Sequence, residues 1–314
     1  MKRIVIAEPL GISEETLKKL LIPGEVFVNY MPHGKAKTEE ELIERLQDAD
    51  IAVIANRPLP ASVLEKCPKL KYIDVAFTGV DHVAMDYCRE HGILVSNAAG
   101  YSDQTVAEIT IGFALSLLRM LHDCDYAVRR GGTSQGLCGR EIAGKTVGVI
   151  GLGRIGRRVA QLFEAFGATV IACDPDEKAG EAGYPLLPLE ELIEKSDIVT
   201  LHAPSIPSTR KMMGRRQFYL MKSSAVFINC ARGALVDSEA LREALDNGYI
   251  AGAAVDVFDM EPPLPESEPL LHAKNCILAP HVAYLSEESM LRRAQIVFDN
   301  LQAYLNGAPQ NLCR

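Results

Sequence analysis

The sequence predicts an α/β fold built on two doubly wound parallel sheets, and three observations carry that reading. Short apolar runs alternate with amphipathic stretches along the chain, as strands and crossover helices do in parallel sheets. The chain has 314 residues, and at roughly 150 residues per domain that length favours two domains. A strand-like run ending in a glycine-rich turn, Thr146–Ile150 into Gly151-Leu-Gly153-Arg-Ile-Gly156, opens in mid-chain and leaves a full domain's length before it.

The first domain reads in order. Residues 4–7 are a buried strand. Ser13 caps a helix through Leu17, Leu20 and Leu21, and Pro23-Gly24 stop it. Residues 25–29 form a second strand. Thr38 and Glu41 have capping-box spacing ahead of a helix with Leu42 and Leu46 on one face. Residues 51–55, 72–76 and 93–96 complete about five strands, ending the unit near residue 100.

Residues 103–122 read as one largely apolar helix, with Val106, Ile109, Phe113, Leu117 and Leu121 at helical spacing. A Gly-rich stretch from Gly131 to Gly139 follows. The second unit then has strands at 146–150, 169–173, 198–201, 226–229, 251–257 and 276–279. Asp237 opens a helix that Gly248 closes at C′. The last helix, 287–305, aligns Met290, Ala294, Val297, Leu301 and Tyr304. No strand follows it, so it packs back on the first unit. The expected division is a discontinuous domain of residues 1–100 plus 285–314 around a second domain of residues 101–284.

Composition narrows the function classes. Hydrophobic residues make up 48% and charged residues 24%, an ordinary globular balance that excludes a disordered chain. The net charge of −8 argues against a nucleic-acid binder. No run approaches the ~18 apolar residues of a membrane span, and the apolar run after Met1-Lys2-Arg3 is too short for a secretory signal. The eight cysteines contain no Cys-x-x-Cys pair and read as reduced thiols rather than metal ligands. A cytoplasmic protein with no metal, nucleic-acid or membrane partner is expected.

The glycine turn has the context of a dinucleotide fingerprint: a strand before it, a helix after it, and Asp174 beyond the next strand. Gly151 permits the tight turn, Gly153 lets backbone approach a pyrophosphate, and Gly156 allows close helix–strand packing. Arg154 and Ile155 place their amides at the helix N-terminus, where dipole and N–H groups favour phosphate. Asp174 would accept from the adenine ribose hydroxyls. A carboxylate there repels a 2′-phosphate, and Pro175 and Asp176 offer no arginine to receive one, so NAD is expected over NADP. His202 and Pro204 end one strand, and Cys230 and Ala231 follow another, positions suited to the nicotinamide side.

Three polar residues lie beyond further strands of that unit: Arg232, Glu261 and His281. Ligands of open α/β sheets sit at the carboxyl ends of strands, so the three can converge. Arg232 offers a planar fork for a carboxylate, His281 can move a proton near neutral pH, and Glu261 can orient its ring and favour the charged form. Taken singly, they read equally as a surface arginine, a loop acid and a satisfied histidine.

The ordered blocks resemble the D-isomer-specific 2-hydroxyacid dehydrogenases: the glycine turn with Asp174, Asn229-Cys-Ala-Arg232-Gly, Asp256-Val-Phe-Asp-Met-Glu261-Pro and Pro280-His281, with Val80-Asp81-His82 and Thr105-Val-Ala-Glu108 upstream. The resemblance covers essentially the whole chain. It implies a flavodoxin-like substrate domain and a Rossmann NAD-binding domain with the cleft between them. It also implies hydride exchange between NAD(H) and a small 2-oxo or 2-hydroxy acid, and a homodimer formed through the helix and loop after the first domain. Carried over, Arg232 clamps the substrate carboxylate, His281 donates the proton, Glu261 pairs with His281, and Asp256 lies near the nicotinamide carboxamide. Backbone around Thr78, Gly79 and Val80 takes the other side of the carboxylate.

Tyr101 and Tyr284 resemble the D-lactate dehydrogenase branch, where aromatic rings border the substrate side chain; hinge packing is the alternative. Arg57 is the one cation of the loop Asn56-Arg57-Pro58, thin provision for a phosphate, so 3-phosphoglycerate is the less favoured substrate beside lactate, glycerate or glyoxylate-class acids. The chain ends at Arg314, without the regulatory extension of the long phosphoglycerate dehydrogenases. A non-enzymatic NAD(H)-sensing protein of the corepressor type is the alternative function.

Overall fold

The computed structural model describes residues 1–313; Arg314, the end of the predicted segment 285–314, lies outside them. The chain divides into two compact units, Met1–Ser102 with Leu285–Arg314, and Asp103–Tyr284. The first holds β1 (Arg3–Ile6), β2 (Val26–Asn29), β3 (Ile51–Ile54), β4 (Tyr72–Val75) and β5 (Leu94–Asn97), in the order β2-β1-β3-β4-β5. All pairs are parallel. This is the flavodoxin strand order. β3 and β4 are buried at every position, because helices cover both faces of such a sheet.

The helix Glu287–Leu305 belongs to this unit and buries Met290, Ala294, Val297 and Leu301 as its periodicity predicts. Tyr304 stacks on Tyr72 of β4 with ring centroids 4.1 Å apart. The tail beyond it bonds along the outer edge of β5: Asn97 donates to the Asn311 carbonyl at 3.1 Å, and Cys313 donates to Val95 at 2.8 Å. That pairing covers a strand edge that would otherwise be open.

Asp74 sits fully buried beneath this helix. One carboxyl oxygen accepts from Asn300 at 3.1 Å, and the other finds no hydrogen-bond partner. Burial pushes its pKa well above the ordinary carboxylate range, against the opposing effect of the Asn300 bond. The folded chain therefore holds a proton that the unfolded chain releases near pH ~4. Stability from this group is complete below that pH and is lost as pH rises toward the folded pKa. Asp74→Asn, neutral at every pH, is expected to raise the unfolding temperature at pH 8 by roughly 2–4 °C or more. The gain should shrink toward pH 4; a gain independent of pH would contradict it.

The second unit holds β6 (Thr146–Ile150), β7 (Thr169–Cys173), β8 (Ile198–Leu201), β9 (Val226–Asn229), β10 (Gly252–Val255) and β11 (Cys276–Leu278), in the order β11-β10-β9-β8-β6-β7. A further segment lies outside β7. Ala172 donates to Pro185 at 2.9 Å and accepts from Leu187 at 2.8 Å, a one-residue parallel bridge at Leu186. Counted as a vestigial third strand, it gives the Rossmann order 3-2-1-4-5-6 with one more strand at the far edge. The chain reverses direction across the sheet between β6 and β8.

Several sequence expectations need correction. The predicted helix 103–122 is two helices, Asp103–Leu118 and Leu121–Arg129. Met120 takes a left-handed φ of 51°, and the Leu118 carbonyl accepts from Arg140 at 2.8 Å instead of continuing the helix. The capping box at Thr38 is half formed. Thr38 accepts from Glu41, but Glu41 reaches the amide of Lys37 at 2.7 Å. β10 is shorter than the predicted 251–257.

Candidate active site

Every candidate catalytic residue of the second unit leaves the carboxyl edge of its sheet. Gly151 follows β6, His202 follows β8, Arg232 comes three residues after β9, and His281 three residues after β11. All strand pairs in this sheet are parallel, so these ends share one edge.

The glycines separate by what surrounds them. Gly151 has φ +91°, and a Cβ there would lie 2.6 Å from the His202 carbonyl carbon. A Cβ on Gly156 would lie 2.0 Å from the Gly151 carbonyl oxygen. Both are filled by protein. A Cβ on Gly153 would meet no protein atom within 4 Å, and no side chain caps the helix Arg154–Ala165 that begins there. An open cradle facing uncapped amides fits a dinucleotide pyrophosphate. Asp174 closes the same turn, accepting from Leu152 at 2.7 Å and Asp176 at 2.9 Å. Arg154 pairs with Asp103 at 2.9 Å, so its side chain is engaged while its amide remains at the helix start.

His202 bonds through Nε2 to the Thr200 hydroxyl at 2.8 Å, and burial brings its pKa down to about 3. Its ring is neutral at physiological pH. Cys230 is buried, and burial with the nearby Asp256 charge pushes its thiol pKa far up, so it is no thiolate nucleophile.

His281 Nδ1 meets Glu261 Oε1 at 2.7 Å. The imidazole is 18% exposed and the carboxylate 61%, which leaves Nε2 as the ring's other functional atom. His281 itself has φ +54°, a conformation that costs a non-glycine residue energy. Asp256 holds it there: its carbonyl accepts the His281 N–H, and its carboxylate accepts from Val282 and Ala283, each at 2.8 Å. Burial raises the Asp256 pKa, while these two amides and His281 oppose the rise. The resemblance implies a place for Asp256 beside the nicotinamide; its position under the His281 loop was not legible in the sequence. Arg232 Nη1 donates to the Ala231 carbonyl at 2.8 Å.

Tyr284 lies edge-on to His281 at 5.6 Å. In the first unit Tyr101 is 1% exposed, edge-on to Phe77 at 6.0 Å and under the Arg293 guanidinium, which is packing at the core. The loop carrying Arg57 is pinned by buried Glu8, which accepts from Ala55 at 2.6 Å and Arg57 at 3.2 Å. The Arg57 side chain turns to the Lys37 carbonyl at 3.2 Å. Thr78, Gly79 and Val80 follow β4 at the carboxyl edge of the first sheet. Asp197 accepts from Thr146 at 2.9 Å and pairs with Lys222. No group of His, Cys, Asp and Glu among the described residues could hold a metal ion.

A dinucleotide cradle sharing its sheet edge with an arginine and an acid–histidine pair defines an NAD-dependent oxidoreductase. The chain belongs to the D-isomer specific 2-hydroxyacid dehydrogenase family, whose NAD binding domain matches residues 111–283. It is 40% identical over 313 residues to a D-3-phosphoglycerate dehydrogenase of Methanocaldococcus jannaschii, covering 98% of this chain but 58% of that protein. It is 39% identical to a glycerate dehydrogenase of Methylorubrum extorquens, covering 99% of this chain and 98% of the relative. Among solved structures, an acyclic imino acid reductase in complex with NADPH and D-Arg superposes with a TM-score of 0.91 at 29% identity, covering 99% of this chain and all of the other.

Proposed function

We propose that this chain reduces small 2-oxo acids to D-2-hydroxy acids, of the glyoxylate, hydroxypyruvate and pyruvate class, with Arg232, His281 and Glu261 as its site. The observation that carries this is the 2.7 Å His281–Glu261 contact on the sheet edge that also bears Gly153 and Arg232. NADH, when bound, supplies the hydride. Arg232 binds the substrate carboxylate and polarises the 2-oxo oxygen, and backbone N–H groups at Thr78, Gly79 and Val80 add donors. His281 Nε2 delivers the proton to that oxygen, and Glu261 orients the ring through Nδ1. Tyr101 and Tyr284 are proposed to border the substrate side chain. Arg57 is the weakest candidate, because its guanidinium already has an acceptor.

Steady-state NADH oxidation against glyoxylate, pyruvate, hydroxypyruvate, longer 2-oxo acids and phosphohydroxypyruvate tests the reading. Turnover of the unphosphorylated acids is expected. Tight NADH binding without turnover of any of them would favour a corepressor-type sensor, and a clear preference for the phosphorylated acid would return 3-phosphoglycerate.

Asp174 supports a preference for NAD over NADP. Like charges brought together cost several kcal/mol, so Asp174→Asn should raise the NADPH-to-NADH ratio of kcat/KM by about 10-fold or more. An unchanged ratio would leave the carboxylate without that role. A homodimer is also proposed. The helix Leu121–Arg129 buries none of its residues and exposes more than half of Leu121, Tyr126 and Val128, a face suited to a second copy of this chain. Light scattering should give twice the 34.3 kDa chain mass, and Tyr126→Asp with Val128→Asp should halve it. A monomeric parent would remove the proposal. No single helix among the described residues is long and apolar enough to cross a membrane, and eight free cysteines support the reducing cytoplasm as its compartment.

A further inference from the structure

Arg232 and His281 leave different strands, yet a buried hydrogen-bonded chain joins their backbones. Asn229, the last residue of β9, is fully buried. Its side-chain oxygen accepts from the Ala231 amide at 3.0 Å, and its side-chain nitrogen donates to the Arg232 carbonyl at 3.0 Å. One side chain thus closes the turn Cys230-Ala231-Arg232. The Asn229 main-chain carbonyl accepts from Asp256 at 3.0 Å, and the Asp256 carbonyl accepts from His281 at 2.8 Å. The far side of the turn is also tight, since a Cβ on Gly233 would lie 2.0 Å from the Phe258 carbonyl carbon.

We propose that Asn229 is a positioning residue for Arg232, and that Asn229 and Asp256 together brace the Arg232 turn against the His281 loop. This rests on the assignment of Arg232 to the substrate carboxylate. The amide meets both demands of the turn with two separate atoms, accepting from Ala231 through its oxygen and donating to the Arg232 carbonyl through its nitrogen. An aspartate would keep the first bond and set an anion against that carbonyl. Arg232 leaves the turn extended, with φ −148° and ψ 143°, so a change at its own carbonyl rotates the bond from which the guanidinium is aimed. Among the described residues Asn229 is linked to the His281 loop through Asp256, so its side chain should govern substrate binding and leave proton delivery alone.

The test compares Asn229→Asp with Asp256→Asn in the NADH-loaded enzyme, reading KM for the preferred 2-oxo acid, kcat, NADH affinity, the pH–rate profile and the unfolding temperature. Asn229→Asp is expected to raise KM by about 10-fold or more with NADH affinity within about 3-fold and the alkaline limb of the profile unmoved. Asp256→Asn is expected to lower kcat and move that limb. Asn229→Ser keeps an acceptor for Ala231 and carries the same test if the aspartate variant does not fold. In an Arg232→Lys background the Asn229 effect on KM should fall below about 2-fold, because residues acting as a unit are not additive. An Asn229 variant that loses thermal stability while keeping the parental KM would overturn the proposal and leave a merely structural asparagine. If Arg232→Lys itself leaves KM unchanged, the assignment of Arg232 fails first, and that outcome is distinct.

Discussion

Replacing His281 by Gln lowers the rate of 2-oxo acid reduction by roughly 10²–10⁴-fold, the range that general acid catalysis contributes, while NADH affinity changes little. The ring's Nδ1 is committed to Glu261 at 2.7 Å, so Nε2 is the atom that can give a proton to the substrate oxygen. Glutamine keeps polarity and approximate reach but has no proton to transfer. Proton donation needs imidazolium, so reduction declines as pH rises and oxidation of the hydroxy acid improves. The Glu261 carboxylate is 61% exposed, so water screens its charge and its removal should cost less than removal of the ring. Glu261→Gln should lower kcat by less than His281→Gln does, because the ring loses its orienting carboxylate but keeps its transferable proton. A profile that is flat between about pH 5 and 9 would take His281 out of the proton-transfer role.

Strand identity was legible because strands covered on both faces read as unbroken apolar runs. Ile51–Ile54 and Val226–Asn229 emerged within a residue of their observed ends. The third strand of the nucleotide-binding sheet was not legible. It survives as one bridge at Leu186, between Pro185 and Pro188, where proline suppresses any strand signal. The break at Met120 was hidden for another reason: the group that captures the Leu118 carbonyl, Arg140, lies far along the chain.

The same distinction divides the site. The glycine turn is local, and its three glycines have three different physical reasons that sequence spacing already separates. Arg232, Glu261 and His281 could be placed at strand ends but not at a distance from each other. The support beneath them was invisible. Asp256 reaches amides 26 and 27 residues away; away from the site, Asp197 ties the amino ends of β8 and β6 across 51 residues, and Glu8 pins a loop of the first unit 47 residues on. Carboxylates that accept distant backbone N–H groups leave no periodic trace in a sequence.

Arg232→Leu is expected to lower kcat/KM for the 2-oxo acid by roughly 30- to 4,000-fold, corresponding to the ~2–5 kcal/mol lost when one partner of a buried, hydrogen-bonded charge pair is truncated. The substrate carboxylate is a fixed anion in a chain whose net charge is −8, so binding depends on a local cation rather than on the protein's field. Arginine suits the task because its planar fork can hold the carboxylate and still direct an N–H at the 2-oxo oxygen. Charge develops on that oxygen as the hydride arrives, so part of the loss should fall on kcat and part on KM. Arg232→Lys keeps the charge and loses the fork; it should recover some affinity and little of kcat. A variant pair in which lysine restores both parameters would mean that charge alone suffices. A leucine variant with parental kcat/KM would move the carboxylate site away from Arg232, toward the amides of Thr78, Gly79 and Val80.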